Sequence, residues 1–193
     1  MNETPDPIEP LVTTLLKELG EDPGRAGLER TPQRVAKALR YFCQGYAQDP
    51  LAILNGALYD VSYDEMVIVR DIDFYSLCEH HILPFFGRVH VAYVPNGRVV
   101  GLSKIPRLVE MFAQRLQVQE RMTTAIAETL DKVLEPKGVA VVVESIHLCM
   151  MMRGVKQQNA FAITSSLRGE FEQDSKTRSE FMELIRHRKG AFA

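Results

Sequence analysis

Four consecutive residues, Cys78, Glu79, His80 and His81, bring a thiol, a carboxylate and two imidazoles together in the sequence. The chain has three cysteines and five histidines in all, so much of its thiol and imidazole chemistry is concentrated here. Such groups can form half of a metal site, a nucleophile with its base, or a polar turn without chemistry. The positions of the other cysteines and histidines distinguish between these possibilities.

His147 and Cys149 interrupt the apolar run at residues 138–152, which has the β-branched composition of a buried strand. Residues two apart on a strand point to the same face, so we expect these two side chains to lie together. Cys78 and His81 are three apart at the end of a predicted strand, where a turn can bring both round one ion. The simplest assembly is a site of Cys78, His81 and Cys149, a ligand set that suits zinc better than magnesium or calcium.

The number of ligands bears on what such a site could do. Three protein ligands leave a position for water on a tetrahedral zinc ion, as in catalytic sites. A zinc ion can deliver hydroxide at neutral pH, and a neighbouring imidazole, His80 or His147, can move the protons. The alternative is that His147 is a fourth ligand and that the zinc is structural, joining two strands.

Basic and polar residues lie near the start of a predicted long helix, where unpaired backbone N–H groups favour anions. They are Ser103, Lys104 and Arg107. Arg34 and Arg153 could add to a phosphate-binding clamp, and the alternative is that all these residues form a solvated surface. Glu120, in the same predicted helix, could accept a hydrogen bond from an amide or guanidine-like edge, although a helical glutamate is more often solvent-exposed.

The composition is that of a globular protein that does not depend on disulfides. The chain has 193 residues, of which 46% are hydrophobic and 25% charged, and its formal net charge is -2. Those values do not favour a disordered, membrane or nucleic-acid-binding protein. The sequence begins without the features of a signal peptide, and its widely spaced cysteines predict reduced thiols, so we expect a cytoplasmic protein. Cys43, on an apolar helical stripe, is interpreted as a buried thiol outside the site.

Hydrophobic periodicity predicts the elements that must position these groups. Apolar residues at helical spacing predict helices at residues 8–20, 31–46, 106–134 and 175–188. β-Branched and alternating apolar residues predict strands at residues 65–74, 85–97, 138–152 and 160–167. Gly20 is expected to end the first helix and Ser175 to cap the last. The order of the elements indicates an α+β fold rather than regular βαβ alternation.

Five segments that contain these residues resemble GTP cyclohydrolase I of the zinc-dependent type. In order within residues 71–169 they are DIDFYSLCEHH, GLSKIPR, AQRLQVQERMT, HLCMMMRG and TSSLRG. The flanking helices fit the same family, so the resemblance covers nearly the whole chain. It implies that Cys78, His81 and Cys149 bind one Zn²⁺ per subunit, and that His80 and His147 are the acid/base residues.

The resemblance also implies how a substrate would be held. Glu120 is implied to hold the guanine ring of GTP, with Gln119 and Ser103 beside it. The cations implied to bind the triphosphate are Lys104, Arg107, Arg153 and Arg34. The implied reaction opens the imidazole ring of guanine by hydrolysis, releases formate and gives 7,8-dihydroneopterin triphosphate, the first step of tetrahydrofolate and pterin biosynthesis.

The implied fold is the tunnelling fold, in which antiparallel sheets with paired helices from several subunits close into an oligomeric barrel. Residues 1–60 would form an N-terminal helical region and residues 61–193 the catalytic domain. The resemblance implies a homodecamer with sites at subunit interfaces, and neither nucleic acid nor a membrane is expected as a partner. Two other functions stay open: a zinc-stapled protein that binds a purine nucleotide without turnover, and a relative of the same fold that acts on a pterin or deazaguanine.

Overall fold

The computed structural model describes residues 5–186, apart from the side chain of Asn55. The chain forms two compact units, Met1–Gln44 and Gly45–Ala193. The helices of the second unit are α3 (Pro50–Asn55), α4 (Lys104–Ala113), α5 (Gln119–Leu134), α6 (Leu148–Met151), α7 (Glu170–Gln173) and α8 (Ser175–Arg186). Its strands are β1 (Leu58–Asp60), β2 (Val67–Cys78), β3 (Leu83–Val94), β4 (Arg98–Val100), β5 (Leu116–Gln117), β6 (Gly138–His147) and β7 (Ala162–Gly169).

The first unit is a pair of helices, α1 (Ile8–Glu18) and α2 (Thr31–Phe42). Gly20, two residues beyond the end of α1, has a φ of 86° and donates its N–H to the carbonyl of Lys17. Glycine takes this left-handed conformation without a steric penalty, so it satisfies a carbonyl at the end of the helix. Both predicted N-terminal helices and the stop at Gly20 are confirmed.

The main sheet of the second unit has five strands in the order β5-β2-β3-β6-β7. Every neighbouring pair is antiparallel except β2 and β5, which are parallel. β1 and β4 form a separate antiparallel pair. The fold is therefore α+β, as the order of the predicted elements indicates, and the four predicted strands are all present.

Two hydrophobic clusters cover the two faces of the main sheet. Val91 of β3 belongs to the larger cluster, together with buried residues of α4 and α5. Its neighbour Ala92 belongs to the smaller cluster, with Phe171 of α7 and Phe181 of α8. Successive residues of a strand point to opposite faces, so β3 contributes to both clusters. The central strands β3 and β6 are thus largely buried and can hold polar side chains in fixed places.

The predicted helix at residues 106–134 is wrong as a single element, because the structure has two helices joined by β5. Leu116 pairs with Leu77, and Gln117 pairs with Cys78, in the parallel register of β5 and β2. The side-chain amide of Gln117 donates to the carbonyl of Phe112 at 2.8 Å, which satisfies a buried acceptor near the end of α4. Pairing with the sheet therefore outweighs the helical propensity of this segment.

The predicted strand at residues 138–152 is also too long, because β6 ends at His147 and Cys149 lies on the short helix α6. The prediction that His147 and Cys149 share one face of a strand is therefore wrong. Both residues nevertheless occur at the same end of β6. The predicted cap of the last helix is wrong too. The carboxylate of Asp174, not Ser175, accepts hydrogen bonds from the N–H groups at the start of α8, at 3.1 and 3.0 Å. Among residues 5–186, no helix is both long enough and apolar enough to cross a membrane.

Candidate metal centre and active site

The cysteine and histidine of the first segment are placed by the turn between β2 and β3. Cys78 is the last residue of β2, and its carbonyl accepts hydrogen bonds from the N–H groups of His81 and Ile82, at 3.2 and 2.8 Å. Ile82 has a φ of 54°, in the left-handed region that a β-branched residue rarely adopts. Its surroundings impose this conformation, which is typical of functional turns. The spacing of Cys78 and His81 thus gives the turn that the sequence predicts.

A second set of contacts holds this turn from the side of β5. The N–H of Glu79 donates to the carbonyl of Gln117 at 3.0 Å, which extends the pairing of the two strands by one bond. Arg121 forms an ion pair with the carboxylate of Glu79 and donates from Nε to Oε1 of Gln117 at 3.3 Å. The hydrogen bond from Arg121 lowers the pKa of Glu79 below its usual value. Glu79 therefore anchors the turn, a role that the sequence did not reveal.

The structure brings Cys78, His81 and Cys149 together. One ligand atom from each, the two Sγ atoms and a ring nitrogen, lie within 4.8 Å of one another. Burial raises the pKa of the Cys149 thiol, and the neighbouring Cys78 raises it further. A cation between the sulfurs would remove that repulsion by stabilising the thiolates. Two thiols and one imidazole are the donor set that zinc prefers, so these residues fit a zinc ion.

Two further histidines, His80 and His147, lie near this cluster in the sequence and differ in their surroundings. His80 is exposed, and its Nδ1 lies 3.7 Å from Sγ of Cys78. His147 is half-buried, and its ring stacks on the buried ring of Phe85 with centroids 4.5 Å apart and planes at 6°. Burial lowers the pKa of His147, and the carboxylate of Glu120 opposes that effect. His147 is thus a held imidazole close to a carboxylate, whereas His80 is open to solvent.

Gln119, at the start of α5, contacts His147 directly. Its Oε1 lies 2.8 Å from Nε2 of His147 and accepts a 2.6 Å hydrogen bond from the hydroxyl of Ser145. His147 is not among the three residues whose ligand atoms converge within 4.8 Å. One ring nitrogen of His147 thus has a protein partner, an arrangement found in acid/base histidines and in metal-bound histidines alike.

The predicted anion-binding residues are more widely distributed. Arg153 is exposed just after α6, and its charge lowers the pKa of Cys149, which places the guanidinium near the cluster. Ser103 and Lys104 stand at the start of α4, and Arg107 lies in its first turn. In the described part of the chain, neither hydrogen bonds nor ion pairs join these three residues to the metal-binding cluster. Arg34 belongs to α2, in the first unit.

Several residues of the site carry no signal in the sequence. Phe85, Ser145 and Thr164 look like ordinary strand residues, yet they contact His147 or the amide of Gln119. Arg121 reads as a surface charge of a helix. Its role follows from the pairing of β5 with β2, which is a long-range contact that local patterns do not encode.

These features define a class of protein: an α+β chain with an enzyme-like site, in which a held imidazole accompanies a cluster of two cysteines and a histidine that could hold a metal ion. More specifically, the chain belongs to the GTP cyclohydrolase I family, because the model of that family matches residues 8–186.

Relatives from distant bacteria match over most of their length. The protein of Gloeobacter violaceus, named GTP cyclohydrolase 1, is 57% identical over 183 residues, which cover 95% of this chain and 86% of the relative. The protein of Chlorobaculum tepidum with the same name is 60% identical, over 90% of this chain and 78% of its own. That of Leptospira biflexa, also so named, is 55% identical over 93% of this chain and 98% of its own.

Proposed function

We propose that this protein is a GTP cyclohydrolase I. It would open the imidazole ring of guanine in GTP by hydrolysis, release C8 as formate and give 7,8-dihydroneopterin triphosphate, the first step of tetrahydrofolate and pterin biosynthesis. The observation that carries the proposal is the placement of His147, a held imidazole, beside the convergent Cys78, His81 and Cys149. The names of the relatives supply the substrate and the reaction.

In this proposal Cys78, His81 and Cys149 hold one Zn²⁺ per chain. A zinc ion bound there would supply the Lewis acidity that makes water a nucleophile at neutral pH. The thiols and the imidazole provide three ligands, which leaves room for a reactant at the metal. The turn that carries Cys78 and His81 is held by Glu79 and Arg121, so two of the ligands are fixed in advance.

The protein groups around the cluster would then move protons and orient the substrate. His147 would protonate N7 of the purine as water adds to C8, because it is the imidazole whose position is fixed. His80, which is exposed beside the sulfur of Cys78, would exchange protons with solvent in the later steps. Glu120 would accept hydrogen bonds from the N–H groups of the guanine edge, as its carboxylate is near enough to His147 to raise the pKa of that ring. Gln119 would act in the same part of the site.

The triphosphate would be anchored by cations that do no chemistry. Arg153 lies close to the cluster, and the others are Lys104, Arg107 and Arg34. Binding energy from the phosphates would place the reacting carbon at the metal, which is the usual use of such contacts. In the proposed assembly, neighbouring chains would contribute some of these residues to one site.

We further propose a homodecamer with the tunnelling-fold barrel, located in the cytoplasm. Exposed apolar side chains on strands of the main sheet, Tyr75 in β2 and Ile163 in β7, support an interface with other chains, as does the exposed Phe161 just before β7. β7 stands at one edge of the sheet, where a further strand can pair.

The test is to incubate zinc-loaded protein with GTP and to follow the absorbance of the dihydropterin together with formate. We expect both products in equal amounts. The matched variant is His147→Ala, which should keep one zinc per chain and lose at least about 100-fold in turnover, since general acid catalysis contributes on that scale. Binding of GTP without any product would support the nucleotide-binding alternative, and loss of zinc from His147→Ala would make His147 a ligand.

A further inference from the structure

The side-chain amide of Gln119 can take only one orientation. Its Nε2 lies 3.1 Å from the carbonyl oxygen of Val143 and 3.3 Å from that of Ala162, and both oxygens can only accept. The hydroxyl of Thr164 is a third neighbour, at 3.2 Å. The amide nitrogen must therefore point to these groups, and the amide oxygen must point the other way, toward Ser145.

That orientation decides which nitrogen of His147 carries a proton. Oε1 of Gln119 is an acceptor only, so Nε2 of His147, 2.8 Å away, must donate to it. The stacked ring of Phe85, which is fully buried, fixes the plane of the imidazole as well. No other described residue hydrogen-bonds to the ring of His147. The edge with Nδ1 is thus left for an external partner.

We propose that Gln119 is a positioning residue, which holds His147 as the Nε2–H tautomer and leaves the Nδ1 edge of the ring for the substrate. This role rests on the proposed function for its reaction, but not for its geometry. The hydrogen bond to Gln119 and the stack on Phe85 together fix both the plane of the imidazole and the identity of its free edge.

In this proposal the side chain of Gln119 contacts protein groups and does not contact GTP. Gln119 is 3% exposed, and all of its amide contacts are with protein groups. The neighbouring Glu120 is exposed and is free to meet a substrate. The break in the predicted long helix creates this division, because it puts both residues in the first turn of α5.

The kinetic test compares Gln119→Met with Thr164→Val in zinc-loaded protein. Gln119→Met keeps the length of the side chain and removes the acceptor for His147, so kcat should fall about 10- to 100-fold while KM for GTP changes less than about threefold. Thr164→Val removes a contact of the amide nitrogen of Gln119. The fold reduction in kcat that it causes should be at least tenfold smaller than that of Gln119→Met. A raised KM with unchanged kcat in Gln119→Met, or equal losses in both variants, would overturn the proposal.

The spectroscopic test needs no turnover and uses the wild-type protein with ¹⁵N-labelled histidine and bound zinc. The ring signals of His147, assigned by their absence from His147→Gln, should show a protonated Nε2 and an unprotonated Nδ1 in the neutral ring. Gln119→Met should give a mixture of tautomers. A protonated Nδ1 in wild type would overturn the role of Gln119 alone, whereas the expected signals without GTP turnover would overturn the proposed function alone.

Discussion

Cys78, the last residue of β2, is the register partner of Gln117 in the two-residue parallel strand β5. This pairing links the two halves of the site. The pairing anchors the turn that carries Cys78 and His81. It also precedes the start of α5, which begins two residues after Gln117, at Gln119. A short strand between two helices thus positions both two of the candidate metal ligands and the partner of His147.

The ion pair of Glu79 and Arg121 should strengthen metal binding, because it holds the turn in the shape that the ligands need. We expect Arg121→Met to weaken zinc binding by about 10- to 100-fold, the usual effect of removing a residue that supports a metal ligand. Competition with a chromogenic chelator measures the affinity. Lys137→Met, which removes an exposed ion pair with Asp64 elsewhere, is the control and should bind zinc normally. Equal affinities in the two variants would show that the turn does not depend on Arg121.

Cys149 should be essential for metal binding even though it lies on α6 and not on a strand. Replacing its thiolate by a hydroxyl removes one of three ligands, so Cys149→Ser is expected to retain far less than one zinc per chain after dialysis. Cys43→Ser is the matched control, because Cys43 directly follows α2 and takes no part in the cluster. Elemental analysis of both proteins decides the point. Full zinc content in Cys149→Ser would remove Cys149 from the site.

Arg153 should contribute to GTP binding and not to metal binding. Arg153→Ala is expected to raise KM for GTP about 10-fold or more, as the loss of a charge-assisted hydrogen bond to phosphate implies, with unchanged zinc content. Lys176→Ala removes a cation in α8, away from the cluster, and serves as the control. An unchanged KM in Arg153→Ala would refute its assignment to the triphosphate.

His90 should make the protein less stable in mildly acidic solution. It is 3% exposed, and its Nδ1 accepts the N–H of Asp71 at 3.1 Å, where β2 carries a bulge. Burial lowers the pKa of His90 below its ordinary value of 6.5, against the opposing charges of Asp71 and Glu144 and together with those of Arg88 and Arg70. The folded state therefore resists a proton that the unfolded state accepts below pH 6.5.

The sign of the effect follows from that difference in proton binding. The free energy of unfolding should be unaffected by His90 well above pH 6.5 and should fall as the pH drops below it, by at most about 1.4 kcal/mol per pH unit. Urea unfolding of wild type and His90→Gln between pH 7.5 and pH 5 measures this slope. The variant should lose part of the pH dependence, and identical slopes would contradict the prediction.

The sequence predicts those parts of the site that depend on local spacing. Cys78 and His81 come together because a turn of four residues follows β2, and that much can be seen in the order of the residues. Cys149 lies with Cys78 and His81 as predicted, but the reason given for it is wrong. It does not share a strand with His147, because β6 ends at His147 and Cys149 lies on α6. The interruption at Leu116 and Gln117 contains neither glycine nor proline, and its cause is pairing with β2, so local patterns suggest an unbroken helix.

The role of Gln119 could not be predicted from local sequence patterns either. Its contacts reach Val143 and His147 of β6 and Thr164 of β7, which are 24 to 45 residues away in the chain. A resemblance can mark such a residue as part of a site. Only the packed structure separates a side chain that meets the substrate from one that holds a neighbouring side chain.

The most direct test of the whole account is the fate of C8 of the guanine ring. Zinc-loaded protein is incubated with GTP that carries ¹³C at C8, and the products are followed by NMR. We predict that the label appears in formate, one per GTP consumed, and that the pterin product carries none. Retention of the label in the nucleotide, with zinc bound to the protein throughout, would contradict the account.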